Sequence, residues 1–188
     1  MNAKDGDKDD AALITAALNG DNNAFSALMT RHKDALYRFV RRYVGDADES
    51  FDLTQETFVA SWSALNTFES GRPFSVWLRR IALNKCRDWS RRRQVRRFFF
   101  SASPLEAADS APLANTPADS VHEERLAALD AAVAALPAPL KEPLLLTVFE
   151  HLSQAEAASL LGISAKAVET RVYRAKQRLR EALSNAKA

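Results

Sequence analysis

Residues 152–183, LSQAEAASLLGISAKAVETRVYRAKQRLREAL, read as a short helix, a glycine turn and a longer basic helix. Ser153 followed three residues later by Glu156 is a capping box, in which each side chain satisfies an otherwise orphaned backbone N–H. Ala157, Leu160 and Leu161 give the first helix an apolar stripe. Gly162 tolerates the left-handed dihedrals with which helices stop, Ile163 can plug the corner, and Ser164 is a good N-cap for the helix that follows. There Val168, Val172, Ala175, Leu179 and Leu183 recur at three- and four-residue spacing, so one face is buried. Lys166, Thr170, Tyr173, Arg174 and Gln177 fall roughly opposite, flanked by Arg171 and Arg178. A solvated helical hairpin accounts for the basic face, but cap, glycine and one-sided charge at these offsets fit a helix-turn-helix whose second helix enters a DNA major groove.

Charge is distributed in blocks although the net is only +2. Residues 1–70 carry 7 cationic and 12 acidic side chains, and residues 71–100 carry 10 against 1. Residues 101–162 carry 2 against 9, and residues 163–188 carry 7 against 2. Two basic blocks separated by acidic ones suggest two contacts with a polyanion. Five glycines and abundant Ala, Leu and Arg point to an all-α protein. No apolar run approaches the length of a membrane span, and the acidic MNAKDGDKDD start is unlike a signal peptide, so membrane insertion and export are not expected. A single cysteine, Cys86, fits a reducing cytoplasm. Cys86, His32, His122 and His151 are too scattered for a metal site, and no cofactor is expected.

Along the chain, residues 1–10 read as a mobile charged tail, with helical spacing from Ala11 that carries Leu13, Ile14 and Leu18. Asn19-Gly20-Asp21 stops it. Phe25, Leu28, His32, Leu36, Phe39, Val40 and Tyr43 then mark a longer helix ending at Gly45, in which His32 reads as a packed histidine. In the next helix Leu53, Phe58, Trp62 and Leu65 can face a core, while Asp52, Gln55, Glu56 and Val59 share another face. On spacing alone those acids simply complement a helix dipole. Gly71 and Pro73 break the chain within residues 66–73. Residues 74–97 follow as a helix, with Trp77, Ile81 and Trp89 available for packing and an arginine-rich exposed side suited to phosphate. Residues 98–120, with three prolines and no apolar periodicity, read as a linker. Phe98–Phe100 either pack back on the first domain or meet a partner. Leu126, Leu129, Val133 and Leu136 open a second domain, and Pro137, Pro139 and Pro143 mark a break and the first turn of the next helix.

In this order the segments DLTQETF (52–58), PFSVWLRRIALNKCRDWSRRR (73–93), ALPAPLKEPLLL (135–146) and residues 152–180 resemble the extracytoplasmic-function, group IV, sigma factors of bacterial RNA polymerase. The resemblance covers almost the whole chain. It implies an all-α protein of two small helical domains: region 2 over residues 1–97, a flexible linker over 98–120, and region 4 over 121–188. It implies docking on core RNA polymerase, involving the β′ clamp helices and the β subunit, with Asp52, Gln55 and Glu56 on the β′ contact. Single-stranded reading of the −10 element would fall to Asn66, Phe68, Arg79, Arg80, Asn84, Arg87 and Arg91, with one base captured outside the stack. Duplex reading of the −35 element would fall to Ser164, Lys166, Thr170, Arg171, Arg174 and Arg178, with Arg174 and Arg178 on phosphates. An anti-sigma partner is implied as well. Two positions depart from the family pattern: His151 stands where many relatives carry glycine, and Pro143 replaces a residue compatible with a mid-helix position.

Two other functions compete. A helix-turn-helix repressor or activator would need a dimerisation or effector domain in residues 1–97, where an arginine-rich helix stands instead. A DNA recombinase would need a nucleophile with converging arginines; Ser75 and Tyr43 lie near arginines only as chance allows. Paired carboxylates at metal spacing, a phosphate-binding glycine loop and a nucleophile triad are missing from the sequence, so neither enzymatic activity nor a small-molecule substrate is expected.

Overall fold

A computed structural model describes residues 3–100 and 120–185, and they are helical without a strand. The order is α1 (Ala3–Leu18), α2 (Asn22–Val44), α3 (Ala47–Ser63), a 3₁₀ turn (Leu65–Thr67), α4 (Phe74–Phe100), α5 (Ser120–Ala135), α6 (Ala138–Leu144), a π-helical turn (Leu145–Phe149), α7 (Gln154–Leu161) and α8 (Ala165–Asn185). Two compact units result, one from Met1–Val40 with Asp48–Cys86, the other from Arg41–Ala47 with Arg87–Ala188. Helices α2 and α4 therefore each contribute to both. Residues 101–119 of the expected linker, and the side chains of Phe98–Phe100, lie outside the described residues.

In the first unit the apolar positions of α2 (Leu28, Leu36, Phe39) meet Leu53 and Phe58 of α3 and Phe74, Leu78, Ala82 and Leu83 of α4 in a buried core. The buried side of α3 also carries hydroxyls, each satisfied inside its own helix. Thr54 Oγ1 donates to Ser50 O and Thr57 Oγ1 to Leu53 O, both at 2.7 Å, and Ser61 Oγ to Phe58 O at 2.8 Å. These bonds remove the penalty of burying a hydroxyl while keeping the face narrow enough for close helix approach. Trp62, expected in the core, is 41% exposed and packs its ring on Phe25 at 4.8 Å.

The N-terminal segment departs from the expected mobile tail, since α1 begins at Ala3 rather than at Ala11. Asp10 lies on its inner side, where one carboxylate oxygen accepts from Arg31 Nη1 at 2.6 Å and the other meets His32 Nε2 at 2.8 Å. A buried carboxylate is tolerable only when paired in this way, and nothing in local periodicity reveals a partner 21 residues away.

The second unit has an apolar interior formed by Val133, Leu144, Leu145, Leu146, Ala157, Val168 and Ala175, and a buried polar network. Lys141 Nζ donates to the carbonyl of Tyr43 at 2.8 Å. Glu142 accepts two bonds from Arg87, at 2.8 and 2.6 Å, and a third from the Tyr43 hydroxyl at 3.3 Å. The hydrogen bonds to Glu142 hold the Arg87 guanidinium above its ordinary pKa, so it stays charged. Removing one member would strand charge in a desolvated setting, which is the cost that ties these residues to one another. Of the leucines and valine that mark the start of this domain, Val133 and Leu136 are buried and Leu126 is 48% exposed.

Pro143 lies inside α6, not in a first turn. It has no N–H to return to the preceding turn, and just beyond it the helix widens into the π turn, where Glu150 N–H donates to Leu145 O at 3.0 Å. The chain leaves this turn through His151 at φ +55°, a left-handed conformation that costs an L side chain roughly 1–2 kcal/mol. A glycine, which the resemblance leads one to expect here, would bear no such cost. Gly45 shows the converse: its φ is +85°, and an added Cβ would lie 2.8 Å from Ala134 Cβ.

Opposite effects follow at these two positive-φ positions. In urea melts of the full chain, Gly45→Ala should cost about 1–3 kcal/mol through overpacking and strain. His151→Gly should instead leave stability unchanged or raise it by up to about 1 kcal/mol, because relief of strain outweighs the added unfolded-state entropy.

Candidate nucleic-acid interface

The helix-turn-helix forms as its residues dictate. Ser153 N–H and Oγ both donate to Glu156 Oε2, at 2.8 and 2.6 Å, and Glu156 N–H donates back to Ser153 Oγ at 3.2 Å. These bonds, led by the one from the Ser153 hydroxyl, hold the Glu156 carboxylate below its ordinary pKa of 4.5. Gly162 closes α7 at φ +69°, and Ser164 Oγ accepts from Ala167 N–H at 3.1 Å to start α8.

Within α8, Val168, Ala175 and Leu179 are buried, while Lys166, Tyr173, Arg174, Gln177 and Arg178 are exposed. Thr170 and Arg171 are half-buried at the margin. Lys166 pairs with Glu169 at 2.8 Å, Thr170 Oγ1 donates to Lys166 O at 2.9 Å, and Gln177 Nε2 donates to the Tyr173 hydroxyl at 3.1 Å. Ser164 is engaged as a cap and Lys166 as an ion-pair partner, so the exposed face is led by Arg174, Arg178 and the 61%-exposed Tyr173, whose hydroxyl is tied to Gln177. The exposed row of two guanidiniums, an amide and a phenol can donate to phosphates and to base edges.

A second concave surface lies in the first unit. The 3₁₀ turn, the following loop and the first turns of α4 enclose a cavity of about 320 Å³ lined by Phe68, Arg72, Trp77, Arg80, Ile81 and Asn84, among others. Phe68 and Trp77 meet edge to face at 5.6 Å, and both contact the buried Phe74. Glu69 also lines it and pairs with Arg72 at 3.4 Å, so the rim carries an ion pair together with the Arg80 guanidinium and the Asn84 amide. Aromatic walls with such a polar rim suit a planar base.

Of the −10 candidates, Phe68, Arg80 and Asn84 are brought together at this cavity. Asn66 is exposed in the 3₁₀ turn beside it. Arg79 is 4% exposed with its guanidinium 5.5 Å from the Phe39 ring, so it belongs to the packed side of α4. Arg87 is paired with Glu142 in the second unit, and the exposed Arg91 pairs with Asp88. Sequence reasoning missed Trp77 and Arg72 as lining residues. Trp77 looks like core at helical spacing, and only its position one turn after Pro73, opposite Phe68, distinguishes it.

The acidic face of α3 is exposed as drawn from spacing. Asp52, Gln55 and Glu56 lie in solvent, with Lys85 Nζ 3.3 Å from Glu56. Phe51 (57% exposed) and Val59 (68%) flank them. A groove of about 500 Å³ beside Phe51 and Gln55 runs toward Met29 and Tyr37 of α2. Apolar side chains left in water beside acids are more than a helix dipole requires.

Two family models match the chain, Sigma-70 region 2 over residues 28–96 and Sigma-70 region 4 over residues 126–179. The RNA polymerase sigma factor NccH of Alcaligenes xylosoxydans is 41% identical over 90% of this chain and 92% of its own. CnrH of Cupriavidus metallidurans, another RNA polymerase sigma factor, is 38% identical over 95% of each. Among solved structures, CnrH in complex with the cytosolic domain of CnrY superposes with a TM-score of 0.67 at 34% identity, covering 96% of this chain and 99% of that one. RpoE in complex with the anti-sigma factor NepR from Bartonella quintana gives 0.68 at 25% identity, covering 85% and 96%. The chain belongs to the sigma-70 family of RNA polymerase sigma factors, in the extracytoplasmic-function group. Proteins of this class are transcription initiation factors and not enzymes. No helix among the described residues is long and apolar enough to cross a membrane.

The lowered Glu156 pKa gives the helix-turn-helix a signed pH dependence. The cap contributes fully above the ordinary carboxylate range and is lost as pH falls through the lower folded value. Thermal melts followed by circular dichroism should therefore show Glu156→Gln to be less sensitive than the parent to acidification below about pH 4.5.

Proposed function

We propose that the three surfaces divide the work of promoter-specific initiation. The α3 face with Asp52, Gln55 and Glu56 docks on core RNA polymerase at the β′ clamp helices, with Phe51 and Val59 adding apolar contact. Further contact is made with the β subunit. The cavity between Phe68 and Trp77 captures a base of the single-stranded −10 element, with Arg80, Asn84 and Asn66 around it and Arg91 on the neighbouring phosphates. The exposed face of α8 reads the −35 element as duplex. Residues 1–97, 98–120 and 121–188 are the functional divisions, and the chain works in the cytoplasm.

The observation that carries this reading is the cavity, where an aromatic pair, the Arg80 guanidinium and the Asn84 amide come together at a helix start. A duplex-only repressor has no use for such a site, whereas flipped or unpaired bases are held by stacking and edge hydrogen bonds. Arg87 leaves the −10 set in this arrangement, because both of its donors to Glu142 are satisfied. Joining two modest DNA contacts through a linker raises the effective concentration of the second once the first has formed. An anti-sigma partner is part of the proposal too: the related RpoE is seen bound to the anti-sigma factor NepR, and CnrH to the cytosolic domain of CnrY.

Run-off transcription with reconstituted polymerase tests the division. Reversing charge at Asp52 and Glu56 together should weaken binding to core polymerase about tenfold or more while the full chain's affinity for a −35 duplex is unchanged. Arg171→Ala with Arg174→Ala should do the reverse, lowering −35-dependent transcription with a shallower salt slope. Wild-type transcription by the latter double variant across a range of salt would remove α8 from promoter reading.

A further inference from the structure

We infer that Asp10 and His32 are positioning residues for the aromatic cavity, fixing the wall that Phe68 and Trp77 supply. The inference rests on the proposed single-strand reading of that cavity.

The contacts form an unbroken series within the first unit. Asp10, whose side chain is 4% exposed, is clamped by Arg31 at one oxygen and bonded to His32 Nε2 at the other. The His32 ring lies 5.2 Å from the ring of Phe74. Phe74, 1% exposed, stands 5.9 Å from Phe68 and 5.5 Å from Trp77. Phe68 and Trp77 are the cavity's aromatic lining. On the far side of the loop, Asp10, Ile14 and Leu18 of α1 face Phe68 and Pro73 across a groove of about 360 Å³.

Ordinary packing does not explain a carboxylate at this position. A leucine would fill the inner side of α1 without the desolvation that a buried charge incurs. What a carboxylate adds is direction, since a hydrogen bond fixes the plane of the imidazole, and Arg31 prevents the carboxylate from swivelling. The tilted contact of His32 with Phe74 depends on that plane. An apolar neighbour would leave the imidazole, and through it the seat of Phe74, without orientation.

The test uses holoenzyme assembled from the full chain and core polymerase. The probe is fluorescent fork-junction DNA with a single-stranded non-template overhang, taken from a promoter mapped by run-off transcription. Asp10→Asn and His32→Gln should each weaken binding about tenfold, the size of a lost charge-assisted bond. Each should also reduce discrimination between the native and a substituted base at the captured position. Binding to core polymerase and to a −35 duplex should be unchanged. Trp77→Ala and Arg80→Ala serve as controls on the cavity itself. If the controls lose binding while D10N and H32Q keep parental affinity and discrimination, the positioning role is wrong. An equal loss on native and substituted bases, tracking a lower folded fraction, would also overturn it by reducing the pair to a structural tie. Full binding by the controls would instead defeat the single-strand reading on which the inference rests.

Discussion

The burial of Phe74 at the first turn of α4 is the constraint on which the first unit depends. Its ring is almost fully enclosed and touches His32, Phe68 and Trp77. A large aromatic side chain removed from water is worth roughly 2–3 kcal/mol, with about 0.5–1.5 more for each favourable ring contact. That is enough to decide where α4 begins and how residues 68–73 return to it. Gly71 at φ +101° and Pro73 allow the reversal but do not determine its direction. Phe74 determines it, and the concavity in front of Phe68 and Trp77 is the consequence.

The second unit meets a different requirement. Lys141 and Glu142 are buried beside Tyr43, and their charges are answered by backbone carbonyls, by Arg87 and by the tyrosine hydroxyl. Such a network contributes little net stability compared with an apolar replacement of the same volume, yet loss of one member leaves the others with uncompensated charge. Arg42 extends it, pairing with Asp130 at 3.3 Å and lying 4.5 Å above the ring of Phe149. The C-terminal end of α2 and the middle of α4 are thereby tied to α5 and α6. Arginine spent on this task is not available to phosphate. A count of basic residues along α4 therefore overstates the cationic surface it presents.

Much of this was legible from residues 152–183 alone. Capping box, left-handed glycine and second N-cap all form at the positions that local chemistry assigns, because each is an interaction within three or four residues. The exposed acids of α3 were legible for the same reason, since helical period fixes a face. What local pattern could not give is any partner far along the chain. Asp10 reads as part of a solvated tail until Arg31 and His32 are brought beside it. Arg79 reads as a surface cation until Phe39 lies under its guanidinium. Trp77 reads as core because periodicity separates inside from outside and has no category for the wall of a cavity. Pro143 and His151 were visible as anomalies, and their explanation needed the π turn that joins them.

These long-range ties bear on how a small protein could hold an unpaired base. Extraction from the stack costs a few kcal/mol, and a receiving site repays that cost only if its walls are already in place. Loops seldom provide such walls, because they carry few buried contacts. Here the lining comes from the 3₁₀ turn and the loop (Thr67, Phe68, Glu69, Arg72) and from the first turns of α4, and its two aromatic members, Phe68 and Trp77, rest on a side chain that is itself enclosed. Under the proposed reading, the ordering of the cavity is met during folding, by burial of Phe74 and the paired Asp10, and not at the moment of binding. The DNA then bears only the cost of its own distortion. On that reading the cavity discriminates bases without needing strong affinity, since the proposed polymerase contact and the proposed duplex contact at α8 supply the residence that the cavity alone does not.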